Sequence, residues 1–240
     1  MGIQTDSRLF IKHGFGKPFL KSMAQLARQF DWSQDPRRLP RAYRTDLIDA
    51  DTRVSLTVSP GVFGETPAED LITICSMVRA KSPKRIFEFG TFTGATTLNL
   101  AMNAPDDATI VTLDLSAEER AAMAGERWEK TFTDDSVGQR FRGTPHEGQI
   151  HQLLMDSRRL DERPFIGSMD FVFIDACHEY ELVKNDSEKA FRMLAQGGVV
   201  MWHDYTPGFP GVCRYLEDLN REKHVRWVQG TSVALHADGM

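Results

Sequence analysis

From Lys84 onward the chain alternates short, almost wholly apolar runs with stretches whose apolar residues recur at helical spacing. The runs at 85–89, 109–113, 150–155, 171–174 and 199–202 predict five strands. Segments at 95–102, about 117–132 and about 181–194 predict helices, the last stopping at Gly197-Gly198. A further helix over 212–221 precedes a closing strand pair, 225–228 and 232–236, around Gly230. Strands separated by helices pair in parallel, and strands without polar alternation are covered on both faces. The expected fold is therefore α/β: a doubly wound, mostly parallel, seven-stranded sheet with helices on both faces. Ligands of such sheets bind beyond the carboxyl ends of the strands.

The first 65 residues have a different character. A short amphipathic helix is expected at 17–30, with Phe19, Met23, Leu26, Ala27 and Phe30 on one face. A polar, irregular stretch follows to residue 44, then a short strand at 54–58 ended by Ser59-Pro60-Gly61. Thr66-Pro67-Ala68-Glu69 reads as a helix start, with Thr66 as N-cap, Pro67 in the first turn and Glu69 closing a capping box. That helix would run to about Lys81 and bury Leu71, Ile74, Cys75 and Val78. The expected organisation is an N-terminal extension or cap over 1–65 and a main domain over 66–240. Phe10, Phe15, Phe19, Phe30 and Trp32 need burial, in the core, over a ligand, or in a homo-oligomer contact.

Composition narrows the functional classes. The 240 residues carry 29 Lys+Arg against 34 Asp+Glu, a net charge of −5, which gives no basic footprint for nucleic acid. No run reaches the roughly 18 apolar residues needed to span a bilayer, and the N-terminus has no signal-peptide core. Cys75, Cys177 and Cys213 lie far apart, without the spacing of a disulfide framework or structural zinc site. These features lead to the expectation of a cytoplasmic protein with a small-molecule partner, neither nucleic acid nor membrane.

Chemistry concentrates at the strand ends. The first strand ends in Glu88-Phe89-Gly90-Thr91-Phe92-Thr93-Gly94-Ala95-Thr96, a small-residue turn into a helix N-terminus. Such a turn lets backbone approach a ligand and presents N–H groups to an anion. Its glycines are spaced GxxxG, not GxGxxG, so a carboxylate suits it as well as a phosphate. Asp114 ends the second strand, placed for ribose hydroxyls or for capping the next helix. Asp156-Ser157 ends the third strand, with the same two readings. The fourth strand ends in Asp175-Ala176-Cys177-His178 and the fifth in His203-Asp204. Two carboxylates and two imidazoles from neighbouring strand ends can hold a divalent cation and leave one group as a base.

Together these motifs resemble the class I S-adenosylmethionine-dependent methyltransferases. They are most similar to the metal-assisted small-molecule O-methyltransferases, of the catechol and caffeoyl-CoA type and the macrolide-sugar, antibiotic-tailoring type. The resemblance covers residues 66–236. It implies that Glu88 and Gly90 bind the amino group of the cofactor's methionine part and Thr96 its carboxylate. Thr91, Phe92, Thr93 and Gly94 complete that turn. Asp114 would hold the ribose, and Asp156 with Ser157 would flank the adenine. Asp175, beside the cofactor, would be a metal ligand, with His203 and Asp204 completing a Mg2+ or Mn2+ site. His178 falls where the family has a lysine or histidine base, and His203 is a second candidate.

One departure stands out. Where the family has Asp-Asn or Glu-Asp after the fifth strand, this chain has His203-Asp204, and magnesium takes imidazole poorly. Three alternatives follow: Asp175 and Asp204 bind the ion without His203, the ion is softer, or no metal binds and a histidine alone is the base. The resemblance implies transfer of a methyl group to a hydroxyl of a small molecule, of the secondary-metabolite class. Rival readings are a nitrogen acceptor, a nicotinamide-dependent oxidoreductase, and a non-catalytic module that keeps the cofactor pocket.

Overall fold

The computed structural model of the protein describes residues 39–58, 64–123 and 137–237. The helix expected at 17–30, the N-terminal aromatics and the 124–132 part of another helix lie outside the described residues. In chain order the elements are β1 (Arg41–Ala42), α1 (Arg44–Leu47), α2 (Ala68–Lys81), β2 (Arg85–Phe89), α3 (Ala95–Asn103), β3 (Thr109–Asp114) and α4 (Ala117–Met123). There follow β4 (Ile150–Leu154), β5 (Met169–Ile174), α5 (Tyr180–Met193), β6 (Leu194–Trp202), α6 (Pro210–Leu219), β7 (Arg226–Val228) and β8 (Ala234–Ala237).

The strands form one sheet in the order β1-β7-β8-β6-β5-β2-β3-β4. All neighbours are parallel except β8, which runs antiparallel to β6 and β7. Parallel central strands need apolar residues on both faces. Accordingly Phe87, Phe89, Phe171, Phe173, Met201 and Trp202 are fully buried. The one polar atom this brings inside, the Trp202 indole N–H, donates to Ser187 Oγ at 2.9 Å.

From β2 the chain winds outward to β3 and β4, and from β5 it winds the other way to β6. The carboxyl ends of β2 and β5 therefore flank the point where the winding reverses, where a crevice must open. Gly90 sits there with φ +98°, and a Cβ on it would lie 1.9 Å from the Asp175 carbonyl oxygen. Only glycine tolerates both that backbone conformation and that approach. The Asp175 N–H donates to Phe89 O and the Gly90 N–H to Leu113 O, each at 2.8 Å, so three strand ends are stitched together.

The structure corrects several expectations. Among the described residues the sheet has eight strands, not seven; the extra strand, β1, is two residues long and pairs with β7, too short for any periodicity to show. The compact unit that holds the sheet begins at Leu39. Leu39, Ala42 and Leu47 are buried in it.

Residues 54–58 form no strand. Their partners are side chains of α3: Asn103 exchanges hydrogen bonds with the Ser55 backbone at 2.7 and 2.9 Å, and Asn99 with the Thr57 backbone at 2.9 Å each way. Four residues along a helix rise about 6 Å and two along a strand about 6.6 Å. Two amides one helical turn apart thus imitate a neighbouring strand.

The helix after Thr66 starts at Ala68, with Pro67 at the cap position and no side-chain cap. Glu69 pairs with Arg44 instead of closing a capping box. Lastly, β6 begins at Leu194 and runs through Gly197-Gly198. The expected helix stop is a strand irregularity, marked by the register shift against Met169 and Phe171.

Gly90→Ala is expected to destabilise the fold by about 3 kcal/mol or more, through left-handed strain plus overpacking. Urea unfolding of the two proteins checks this, and an unchanged midpoint would contradict the close approach of β2 and β5.

Candidate active site

At the glycine turn, Glu88 is fully buried. Its Oε2 accepts from the Thr97 hydroxyl and, at 2.6 Å, from the Thr112 hydroxyl. Its Oε1 is buried with no partner. Burial pushes the Glu88 carboxyl up to about 8, against the two threonine hydrogen bonds, with Asp175 and Asp114 adding repulsion. An unpartnered buried oxygen is costly unless a ligand donates to it.

The turn itself is held by protein groups. Phe92 has φ +47°, and its N–H donates to Asp114 Oδ2 at 2.7 Å. Thr91 Oγ1 bonds Thr112 Oγ1 at 2.7 Å. The Thr93 hydroxyl donates to Glu65 Oε1 at 2.8 Å, and Arg140 Nε reaches the same oxygen at 3.1 Å. A Cβ on Gly94 would meet Phe141 at 2.6 Å, so the absent side chain there makes room for a ring of the chain itself. The Gly138 and Arg140 N–H groups donate to the Phe92 and Thr93 carbonyls at 2.9 Å. The segment from 137 to 143 is thus a cover on the glycine turn.

Asp114 also accepts from the Leu115 N–H at 2.8 Å and from Arg120 at 3.0 Å. It does not cap α4. That capping box is made by Ser116 and Glu119, whose side chains reach each other's N–H at 3.3 and 3.1 Å. Asp156 does cap, accepting from the Arg158 N–H at 2.9 Å. The Arg158 side-chain hydrogen bond lowers its carboxyl below the ordinary value. Ser157 bonds Asp186, a buried carboxyl that desolvation raises to about 6.

The ends of β5 and β6 converge as expected, and one element unnoticed in the sequence joins them. His203 Nδ1 lies 3.2 Å from Asp175 Oδ1 and 3.3 Å from Asp204 Oδ1. Its Nε2 lies 3.0 Å from Asp70 Oδ2 on α2. Asp70 in turn accepts from the Ser232 hydroxyl at 2.6 Å and the Ser232 N–H at 3.1 Å. Burial alone would lower the pKa of His203, but the charge of Asp175 and hydrogen bonds to Asp175, Asp204 and Asp70 raise it well above the ordinary imidazole value.

Asp204 adopts φ +61°, in the left-handed region. Burial alone would raise its carboxyl, yet hydrogen bonds from His178 and His203 hold it well below the ordinary range. His178 Nε2 donates to Asp204 Oδ2 at 2.7 Å, and the ring stacks on Phe209 with centroids 4.1 Å apart. Gly211 opens the space behind it: a Cβ there would fall 2.2 Å from the His178 carbonyl oxygen. Thr66, expected as a helix cap, bonds Thr96 Oγ1 at 2.8 Å and reaches Asp175 Oδ2 at 3.4 Å.

Asp70 had one legible signal. It lies four and seven residues before Ile74 and Met77 on the buried side of α2, and a carboxylate in an apolar stripe must find a partner.

A divalent cation does not fit the carried-over set of Asp175, His203 and Asp204. Acceptors face both ring nitrogens of His203, so neither keeps a lone pair for an ion. Asp175, His178 and Asp204 do present ligand atoms within 4.8 Å of one another. There, however, His178 Nε2 and Asp204 Oδ2 are hydrogen-bonded to each other at 2.7 Å, so an ion would have to displace that bond. A sulfonium amino acid does fit the other half of the site. The free Glu88 oxygen suits an ammonium group, and the α3 N-terminus beyond the turn suits a carboxylate.

Reversed winding and acidic strand ends are features of doubly wound α/β proteins, whose ligands bind at the switch point. Residues 87–205 match a family described as "Methyltransferase domain". That match spans just under half of the chain, and the chain is similar there to class I S-adenosylmethionine-dependent methyltransferases.

Among curated proteins, the chain is 24% identical over 174 residues to caffeoyl-CoA O-methyltransferase 2 of Zea mays, covering 72% of this chain and 60% of that protein. It is 26% identical over 135 residues to caffeoyl-CoA O-methyltransferase 1 of Eucalyptus globulus, covering 56% and 50%. The chain thus spans half to three fifths of the curated relatives it matches.

Among solved structures, O-methyltransferase TomG of Streptomyces achromogenes, involved in tomaymycin synthesis and solved with SAM, superposes with TM-score 0.54 at 20% identity. The match covers 73% of this chain and 82% of that one. The O-methyltransferase from Bacillus cereus in complex with SAH gives TM-score 0.55 at 17% identity, covering 74% and 84%. Both likenesses are of fold. Among the described residues, no helix is long and apolar enough to cross a membrane.

Glu88 gives a pH signature in the ligand-free protein. Its folded-state carboxyl titrates near 8 against an ordinary 4.5, so the folded state holds a proton that the unfolded chain releases. Its stability contribution is complete below about 4.5, falls as pH rises, and is gone above about 8. Urea unfolding across this range should show wild-type stability declining more steeply than that of Glu88→Gln. Parallel profiles would contradict the buried protonated carboxyl.

Proposed function

We propose that this protein is an S-adenosylmethionine-dependent O-methyltransferase acting on a hydroxyl of a small molecule. The observation that carries the reading is Glu88 Oε1, buried and unpartnered beside the switch point. When bound, S-adenosylmethionine supplies an electrophilic methyl on a positively charged sulfur, which leaves as a neutral thioether.

This chain's residues divide the remaining work. Glu88 accepts from the methionine ammonium, while the Thr91–Gly94 turn and Thr96 take the carboxylate. Asp114 receives the ribose hydroxyls with the lone pairs that Phe92, Leu115 and Arg120 leave. Asp156 and Ser157 border the adenine, and Asp175 lines the wall between the two halves.

Proton removal falls to His178. Its Nε2–H is committed to Asp204, which leaves Nδ1 with the lone pair and fixes the tautomer. Asp204 stabilises the ring once it gains the acceptor's proton. Stacking on Phe209 limits the ring's rotation, so its basic nitrogen keeps one direction. No step here runs through a metal ion.

Isothermal titration with S-adenosylhomocysteine tests the reading first: saturable one-to-one binding is expected, and no binding would reject it. His178→Ala should then lower turnover about 10²–10⁴-fold, the usual contribution of general base catalysis, with S-adenosylhomocysteine affinity unchanged. Undiminished turnover would remove His178 from the base role.

A further inference from the structure

Resting on the methyltransferase reading, the histidine after the fifth strand takes on a definite role. The family it resembles carries an acid at this position, and here the flanking Asp175 and Asp204 are retained. A neutral imidazole has one N–H and one lone pair. His203 Nδ1 faces oxygens of Asp175 and Asp204, and its Nε2 faces an oxygen of Asp70 and, at 3.1 Å, the Ser232 hydroxyl, whose one hydrogen goes to Asp70 at 2.6 Å. A lone pair turned towards any of these carboxylates would be repelled, so both nitrogens carry hydrogen and the ring is a cation.

Three carboxylates from three elements converge on this ring, which is 8% exposed. A charge so placed needs opposite charges around it, and the arrangement satisfies the ring and the acids together. Ser232 fixes Asp70 from behind through both its N–H and its hydroxyl. The oxygens that would face an ion in an all-oxygen site are thereby occupied by N–H donors.

We propose that His203 is the fixed cation of this site, replacing a divalent ion, so that Asp175, Asp204 and, through Asp204, His178 are held in working geometry without metal. The ring cannot leave with a chelator or exchange with solvent. It carries one positive charge rather than two, spread over a plane, and its role is to order carboxylates rather than to bind the acceptor oxygen.

The full chain, dialysed against EDTA and then buffer, is titrated calorimetrically with MnCl2 and MgCl2, with and without S-adenosylhomocysteine, and its metal content is read by mass spectrometry. The expected result is no Mn2+ or Mg2+ binding, no stoichiometric metal, and S-adenosylhomocysteine affinity unchanged by chelation. His203→Asp restores the acid and should gain binding of one Mn2+ per chain. One-to-one Mn2+ or Mg2+ binding by the wild type overturns the proposal. A folded His203→Asp protein that takes no Mn2+ does so too, and if that variant fails to fold the wild-type titrations decide alone. Absence of S-adenosylhomocysteine binding would instead strike the methyltransferase reading, so the two failures are distinct.

Discussion

A buried imidazole with carboxylates at both nitrogens organises the ligand edge of this sheet. His203 stands at the end of β6 and draws in Asp175 from β5, Asp204 beside it and Asp70 from α2. Without a cation at the centre, three acids brought this close and this far from water would repel one another and take up protons. With it, two strand ends and a helix are joined by charge-assisted hydrogen bonds, which are the shorter and stronger kind. The left-handed backbone of Asp204 is the local cost of aiming one carboxylate at two rings.

The consequences spread in two directions along the crevice. On one side Asp204 holds His178 by a hydrogen bond, and the ring stacks on Phe209. On the other, Asp175 stands against Gly90, whose missing side chain lets β5 approach β2. Beyond it lies Glu88, buried and half satisfied. The two halves of the site are therefore separated by one strand spacing. Such proximity is what displacement chemistry requires: its reactants must be held in line, and positioning supplies a large part of the rate.

The sequence disclosed the scaffold more readily than the contacts. Apolar runs without alternation can only be buried parallel strands, so β2, β3, β5 and the strand-end acids were legible from pattern alone. The convergence of Asp175, His178, His203 and Asp204 followed from winding topology. What pattern could not supply was which nitrogen faced which acid, because Asp70 and Ser232 lie 133 residues and 29 residues from His203 in the chain. The same limit applies to 54–58, where Asn99 and Asn103 act as a strand from within a helix. Gly94 is the converse case: a residue type that signals ligand approach proved to be packed by Phe141. Glycine marks close approach without saying what approaches.

The central claim is that the crevice between β2 and β5 holds a sulfonium amino acid by its ammonium group. A crystal structure with S-adenosylhomocysteine tests it most directly. The account predicts the ligand's amino nitrogen within hydrogen-bond distance of Glu88 Oε1, its sulfur directed towards the His178 side. A ligand bound elsewhere, or one in the crevice that leaves Glu88 Oε1 unpartnered, would contradict it.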